Sequence, residues 1–157
     1  MQTTLLHQYQ LVIGARIALL DYCGTISNDD LLKPVPSFNN ESIISMLTHV
    51  ANCYVFWLAH YGMQEKRPFF KVSDQTDIAV VTQSYEQVNL LLNEFLHKYG
   101  QALNIPVTLP RHDNILTTTP LEVFTHVTTH EFHHKGQVLN MSRQLGYIPA
   151  DTDVIRG

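Results

Sequence analysis

Residues Thr119–Gly146, TPLEVFTHVTTHEFHHKGQVLNMSRQLG, decide how the rest of the chain is read. Thr119 is a natural N-cap, Pro120 fills the first helical position where no N–H is needed, and Glu122 completes a capping box. Gly146 and then Pro149 mark the far end. On a wheel advancing about 100° per residue with His130 at zero, Val123 and Met141 fall near +20°, Val127 and Leu145 near +60°, and Val138 near +80°. His130 and His134, near 0° and +40°, lie within that apolar sector, while His126 and His133 lie beside it at roughly −40° and −60°. The pattern predicts a long helix that turns two imidazoles inward and keeps two at its edge.

Three further segments with helical spacing precede it. About Thr4 to Tyr22 carries Leu5, Tyr9, Val12, Arg16 and Leu19 at three- and four-residue steps and stops at Gly24. About Glu41 to Tyr61 has Asn40 as N-cap and Gly62 as stop. Asp77 to Tyr99 presents Val81, Tyr85, Val88, Leu92 and Phe95 along one side and closes at Gly100. The first connection, SNDDLLKPVPSFNN, holds two prolines and cannot be one regular element. Alternation around Ile105, Val107 and Leu109 predicts one short extended piece before the last helix. The expected fold is all-α, a four-helix bundle with a long first crossover loop, in one domain over residues 1–157.

Composition limits the functions open to such a chain. Its 157 residues include nine histidines beside only ten lysines and arginines, and charged residues make up 15%, well under the roughly 25% of ordinary domains. A net charge of −4, with the cations scattered singly, offers no field for phosphate backbones, so no nucleic-acid partner is expected. The longest apolar run, Cys53 to Ala59, falls short of the ~20 residues of a membrane span, and MQTTLLHQYQ lacks the features of a leader. No membrane partner and a cytoplasmic location are expected. Cys23 and Cys53 are too few for a disulfide framework and read as small buried hydrophobes in a reducing compartment.

Two imidazoles one turn apart can converge on a divalent cation at 2.0–2.1 Å, so His130 and His134 form a workable chelate. A third ligand must come from another helix, and His49, Cys53 and His60 share one flank of the second helix. His49 has the polar neighbours Ser45 and Asn52, His60 stands near the helix end, and Cys53 would favour a closed structural site. Whether Cys53, His60, His126 or His133 joins the site is open at this level. Asp29, Asp30, Lys33, Arg111, His112 and Asp113 stand in loops where they could line a mouth, although solvated charge is the simpler reading. The run HEFHH also satisfies H-E-x-x-H, a zinc-protease signature with Glu131 as general base. No flanking sheet and no downstream third ligand accompany it, and Glu131 otherwise reads as an ordinary helix former.

A histidine midway along the second helix, in LTHVANCYVFWL, together with the late helix HEFHHKGQ, resembles the DinB family of metal-binding four-helix proteins, also called DinB/YfiT-like. The resemblance covers essentially the whole chain. It implies metal ligands at His49, His130 and His134, with Gly136 and Gln137 matching the small and polar positions that follow. It further implies zinc or nickel as the cation, a homodimer, and activity as a metal-dependent transferase or hydrolase acting on a small-molecule substrate, a low-molecular-weight thiol or water being activated. The alternative on the same fold is a non-catalytic metal-binding or ligand-sensing module.

Overall fold

The computed structural model describes residues 2–111 and 114–156, and among these the chain is mostly helical. Helix α1 spans Gln2–Cys23, a short α2 Asn28–Leu32, α3 Ile43–Tyr54, α4 Ile78–Tyr99 and α5 Pro120–Gln144. Strands β1, Val107–Arg111, and β2, Asn114–Thr118, form an antiparallel hairpin in the register Val107↔Thr118 to Arg111↔Asn114.

The strongest local signals behave as read. Thr119 and Glu122 make the full capping box, with Thr119 Oγ1 accepting from Glu122 N at 3.2 Å and Glu122 Oε2 accepting from Thr119 N at 2.7 Å. Gly146 adopts φ 93°, a left-handed conformation that glycine takes without the Cβ penalty. Asp77 caps α4 by accepting from Ala79 N and Val80 N.

Other boundaries differ. The N-cap of α3 is Ser42, whose Oγ accepts from Ser45 N at 3.1 Å, while Asn40 sits in the preceding turn with φ 60°. The helix does not stop at Gly62. It widens into a π-type stretch, Val55–Met63, and ends at Gln64 with φ 58°. Gly62 is required by close packing, since a Cβ there would stand 2.6 Å from a ring carbon of Phe95. The first connection is broken up by α2, whose N-cap is Ser27, and by a 3-10 turn at Pro36–Phe38. The single extended piece expected before α5 is one arm of the hairpin, because Ile115–Thr118, with β-branched Ile115, Thr117 and Thr118, supplies a second.

Helix α3 packs on α4 and α5, α1 packs on the same two helices, and the π stretch lies against α4, α5 and β1. Tyr9, Tyr54, Leu92, Phe95, Phe124 and Met141 are fully enclosed between them. The segment Ile43–Met63 is long and apolar enough to cross a membrane by length and composition, yet 67% of its most apolar window is buried within the fold, as in a core helix.

Candidate metal centre

The centre is built where α3 crosses α5. His49 from α3 meets His130 and His134, one turn apart on α5, and one ligand nitrogen from each lies within 4.8 Å of the others. His49 Nε2 stands 3.2 Å from His130 Nε2. Two nitrogens bound at 2.0–2.1 Å to one tetrahedral ion are about 3.3 Å apart, so this pair already has the separation that a shared cation needs. The ring centroids of His49 are 5.2 Å from His130 and 4.8 Å from His134.

These residues sit on the flank of the buried face of α5. His130 and His134 are half-buried and His49 is exposed, so the two helical histidines reach the rim of the interior and do not enter the core. His126 and His133 are exposed, as the wheel predicts for edge positions. Partial burial, followed by the neighbouring imidazoles His134, His49, His126 and His133, lowers the His130 pKa from 6.5 to about 4. Burial also lowers that of His134, and its hydrogen bond to Gln137 partly opposes the shift. Both are therefore neutral at pH 7, the form that donates a lone pair to a metal.

Gln137 sets the orientation of His134. Its Oε1 lies 2.6 Å from His134 Nδ1, which places a proton on Nδ1 and leaves Nε2 as the donor atom. Its amide Nε2 reaches His133 Nε2 at 3.3 Å. A cation fits this donor set on three counts: neutral imidazoles, a nitrogen spacing near the tetrahedral value, and a ring held by a second residue.

Two clefts open beside the trio. One, of about 400 Å³, is bounded by Glu41, Ser45, Met46, His49, Val72 and His134. The other, of about 430 Å³, has aromatic walls from Phe56, Trp57 and Phe69 beside His126 and His130. Asn52 lies between them and clamps the loop near residue 70: its Nδ2 donates to Phe70 O at 2.9 Å and its Oδ1 accepts from Phe70 N at 2.8 Å.

The remaining candidates divide clearly. His60 Nε2 lies 2.6 Å from Arg67 O and its ring packs on Phe69, so it belongs to the following loop. The π-type turns after Tyr54 use more residues per turn, and a uniform α-helical wheel misplaces everything beyond them. Cys53 is buried and falls in a different trio, with His126 and His130. Asp29, Asp30 and Lys33 line neither cleft, and Asp30 instead accepts from Tyr147 Oη at 2.7 Å. His112, Asp113 and the side chain of Arg111 lie outside the described residues.

Glu131 corrects the protease reading. It is buried in a bidentate pair with Arg16, Nε to Oε1 at 2.6 Å and Nη2 to Oε2 at 2.7 Å, and Tyr54 Oη donates to Oε2. Arg16 Nη1 also donates to Asn89 Oδ1 at 2.7 Å, which accepts from Tyr9 Oη at 2.8 Å. A carboxylate whose two oxygens are so engaged, inside the core, has no access to a water beside His130. Sequence reasoning left this cluster unassembled, although a charged Arg16 at an apolar-spaced position of α1 was its visible sign.

The DinB family model matches the chain over residues 1–157. Protein DinB of Bacillus subtilis (strain 168) is 25% identical over 119 residues, which cover 71% of this chain and 69% of that protein.

Proposed function

The chain belongs to the DinB family, and from that premise we propose that it is a metal-dependent transferase or hydrolase whose three-histidine centre activates a small-molecule thiol or water. The observation that supports this most is the convergence of His49, His130 and His134 between two clefts. In this reading the four long helices form a bundle of the DinB/YfiT-like type in one domain, paired as a homodimer in the cytoplasm.

Zinc or nickel, held by the three imidazoles, would supply Lewis-acid activation of the thiol or water near neutral pH. The chain's own residues prepare that chemistry. His130 stays unprotonated down to about pH 4, so protons do not compete for it at neutrality. Gln137 keeps the His134 proton on Nδ1 and leaves Nε2 free to bind the cation. Phe56, Trp57 and Phe69 give one cleft an aromatic wall, Glu41 and Ser45 bring a carboxylate and a hydroxyl to the other, and Asn52 lines both. A thiol and its acceptor entering by the two clefts would meet at His49, which lines both.

The test is metal content after reconstitution with zinc or nickel, for wild type and His130→Ala, followed by a thiol-transfer assay with low-molecular-weight thiols. The expected result is about one metal per wild-type chain, a loss of affinity of more than about 100-fold in the variant, above the range for outer-shell changes, and metal-dependent turnover. Wild-type protein that takes up no metal would sink the proposal. Metal uptake without turnover of thiols or hydrolysable esters would favour the ligand-sensing alternative.

A further inference from the structure

We propose that Cys53, His126 and His130 form a second metal position, with one sulfur and two nitrogen donors, which shares His130 with the three-histidine trio and takes thiophilic cations. The sulfur of Cys53 and one nitrogen from each histidine lie within 4.8 Å of one another. The construction repeats that of the first trio. Cys53 is one turn after His49 on α3, and His126 is one turn before His130 on α5. Stepping forward on one helix and back on the other is how antiparallel helices stay in register, so both trios belong to one ladder of donors along the α3–α5 seam.

The donor types differ between the two rungs. The first offers three imidazoles, while the second offers imidazole and thiolate, a set that suits zinc, cadmium or cuprous copper. Its surroundings are also drier: Cys53 is 9% exposed, and Phe56, Trp57 and Phe69 wall the adjoining cleft. His126 packs its ring 4.7 Å from Trp57 and stacks on His130 at 5.8 Å, which holds it over the cleft. Burial pushes the Cys53 thiol up to about 12, so without a metal it is a protonated and unreactive group. As the metal–sulfur bond forms, the thiol proton leaves to solvent and the imidazoles bind neutral, with no change of oxidation state. Because both positions draw on His130, filling one withdraws a ligand from the other.

The experiment loads the full chain with one equivalent of Zn²⁺ or Co²⁺ and reads the donor atoms by X-ray absorption and by sulfur-to-cobalt charge transfer. His134→Ala disables the three-histidine position alone. It is expected to retain about one metal with a sulfur neighbour at about 2.3 Å. Adding Cys53→Ser or, independently, His126→Ala should abolish the sulfur signal and weaken binding at least about tenfold. His126 is exposed, so its replacement leaves the core intact should Cys53→Ser fail to fold. Only nitrogen and oxygen neighbours in His134→Ala, or a sulfur signal that survives His126→Ala, would overturn the proposal. A wild type that binds through nitrogen alone, beside a His134→Ala variant that binds nothing, would overturn it and leave the three-histidine centre standing.

Discussion

His130 and Glu131 are adjacent on α5 and end in opposite environments. Glu131 belongs to a closed polar cluster in which Arg16, Tyr54, Asn89 and Tyr9 saturate one another among four helical segments. Arg16 also lies 4.6 Å above the Tyr85 ring, so the charge is enclosed by aromatic faces as well as by its partner. His130 belongs to an open cluster of like groups, half-buried, next to two clefts, with no carboxylate among the described residues that pairs with it. Both clusters are rich in titratable groups. The closed one uses its hydrogen-bonding capacity internally and fixes the packing of α1, α3, α4 and α5, whereas the open one keeps lone pairs for something from outside.

The largest effect expected from this contrast is on stability at Glu131. Glu131→Ala leaves Arg16 buried and unpaired, and should lower unfolding free energy by about 3–5 kcal/mol in a urea titration. Replacing both partners, Arg16→Met with Glu131→Leu, should cost much less than either single change, because no lone charge remains buried. A Glu131→Ala protein with an unchanged urea midpoint that had lost metal-dependent turnover would break the comparison and return Glu131 to the role of general base.

The same contrast explains which parts of the molecule could be read in advance. Helix caps and glycine at a left-handed position are local chemistry, and Thr119, Glu122 and Gly146 were legible for that reason, while Asp77 was read only as the start of its helix. His130 and His134 were paired by turn spacing, which survives as long as the helix is regular, whereas spacing left His49 beside Cys53 and His60 and only the family resemblance singled it out. The wheel failed where regularity fails, in the π-type stretch, and so His60 was grouped with His49 when it faces Arg67. It also failed where polar groups do the packing. Apolar side chains alone put the interior near His130, whereas Glu131 and Lys135, at about +100° and +140° on the same wheel, are buried and shift the true centre away from the histidines. Lys135 is there because its Nζ donates to Thr152 O at 2.7 Å, a contact from the chain's last residues that no periodicity carries.

A smaller effect should separate orientation from ligation in the open cluster. Gln137→Ala removes the partner of His134 Nδ1 without removing a donor atom from the trio. Zinc affinity, measured by competition with a chelator, should fall about 10–100-fold, while the unfolding free energy of the metal-free protein in a urea titration should stay within about 0.5 kcal/mol of wild type. Equal zinc affinity in the two proteins would mean that the rings need no outside support.

The smallest effect is the pH dependence that the open cluster imposes on the metal-free protein. An unfolded histidine titrates near 6.5 and folded His130 near 4, so between these values the unfolded chain binds more protons. Stability from this source is fully present above about pH 6.5 and is lost as pH falls toward 4, with no further loss below; the lowered pKa of His134 acts in the same sense. The carboxylates of Asp30 and Glu122, held below their ordinary values by hydrogen bonds, lose their contribution at lower pH and do so whether or not His130 is present. Melting temperatures of chelator-treated wild type and His130→Ala across pH 7 to 4 should therefore converge as the pH falls, with the steeper decline in wild type. Two parallel curves would show that His130 is as easily protonated in the folded chain as in the unfolded one, and that the imidazoles on this rim do not sense one another.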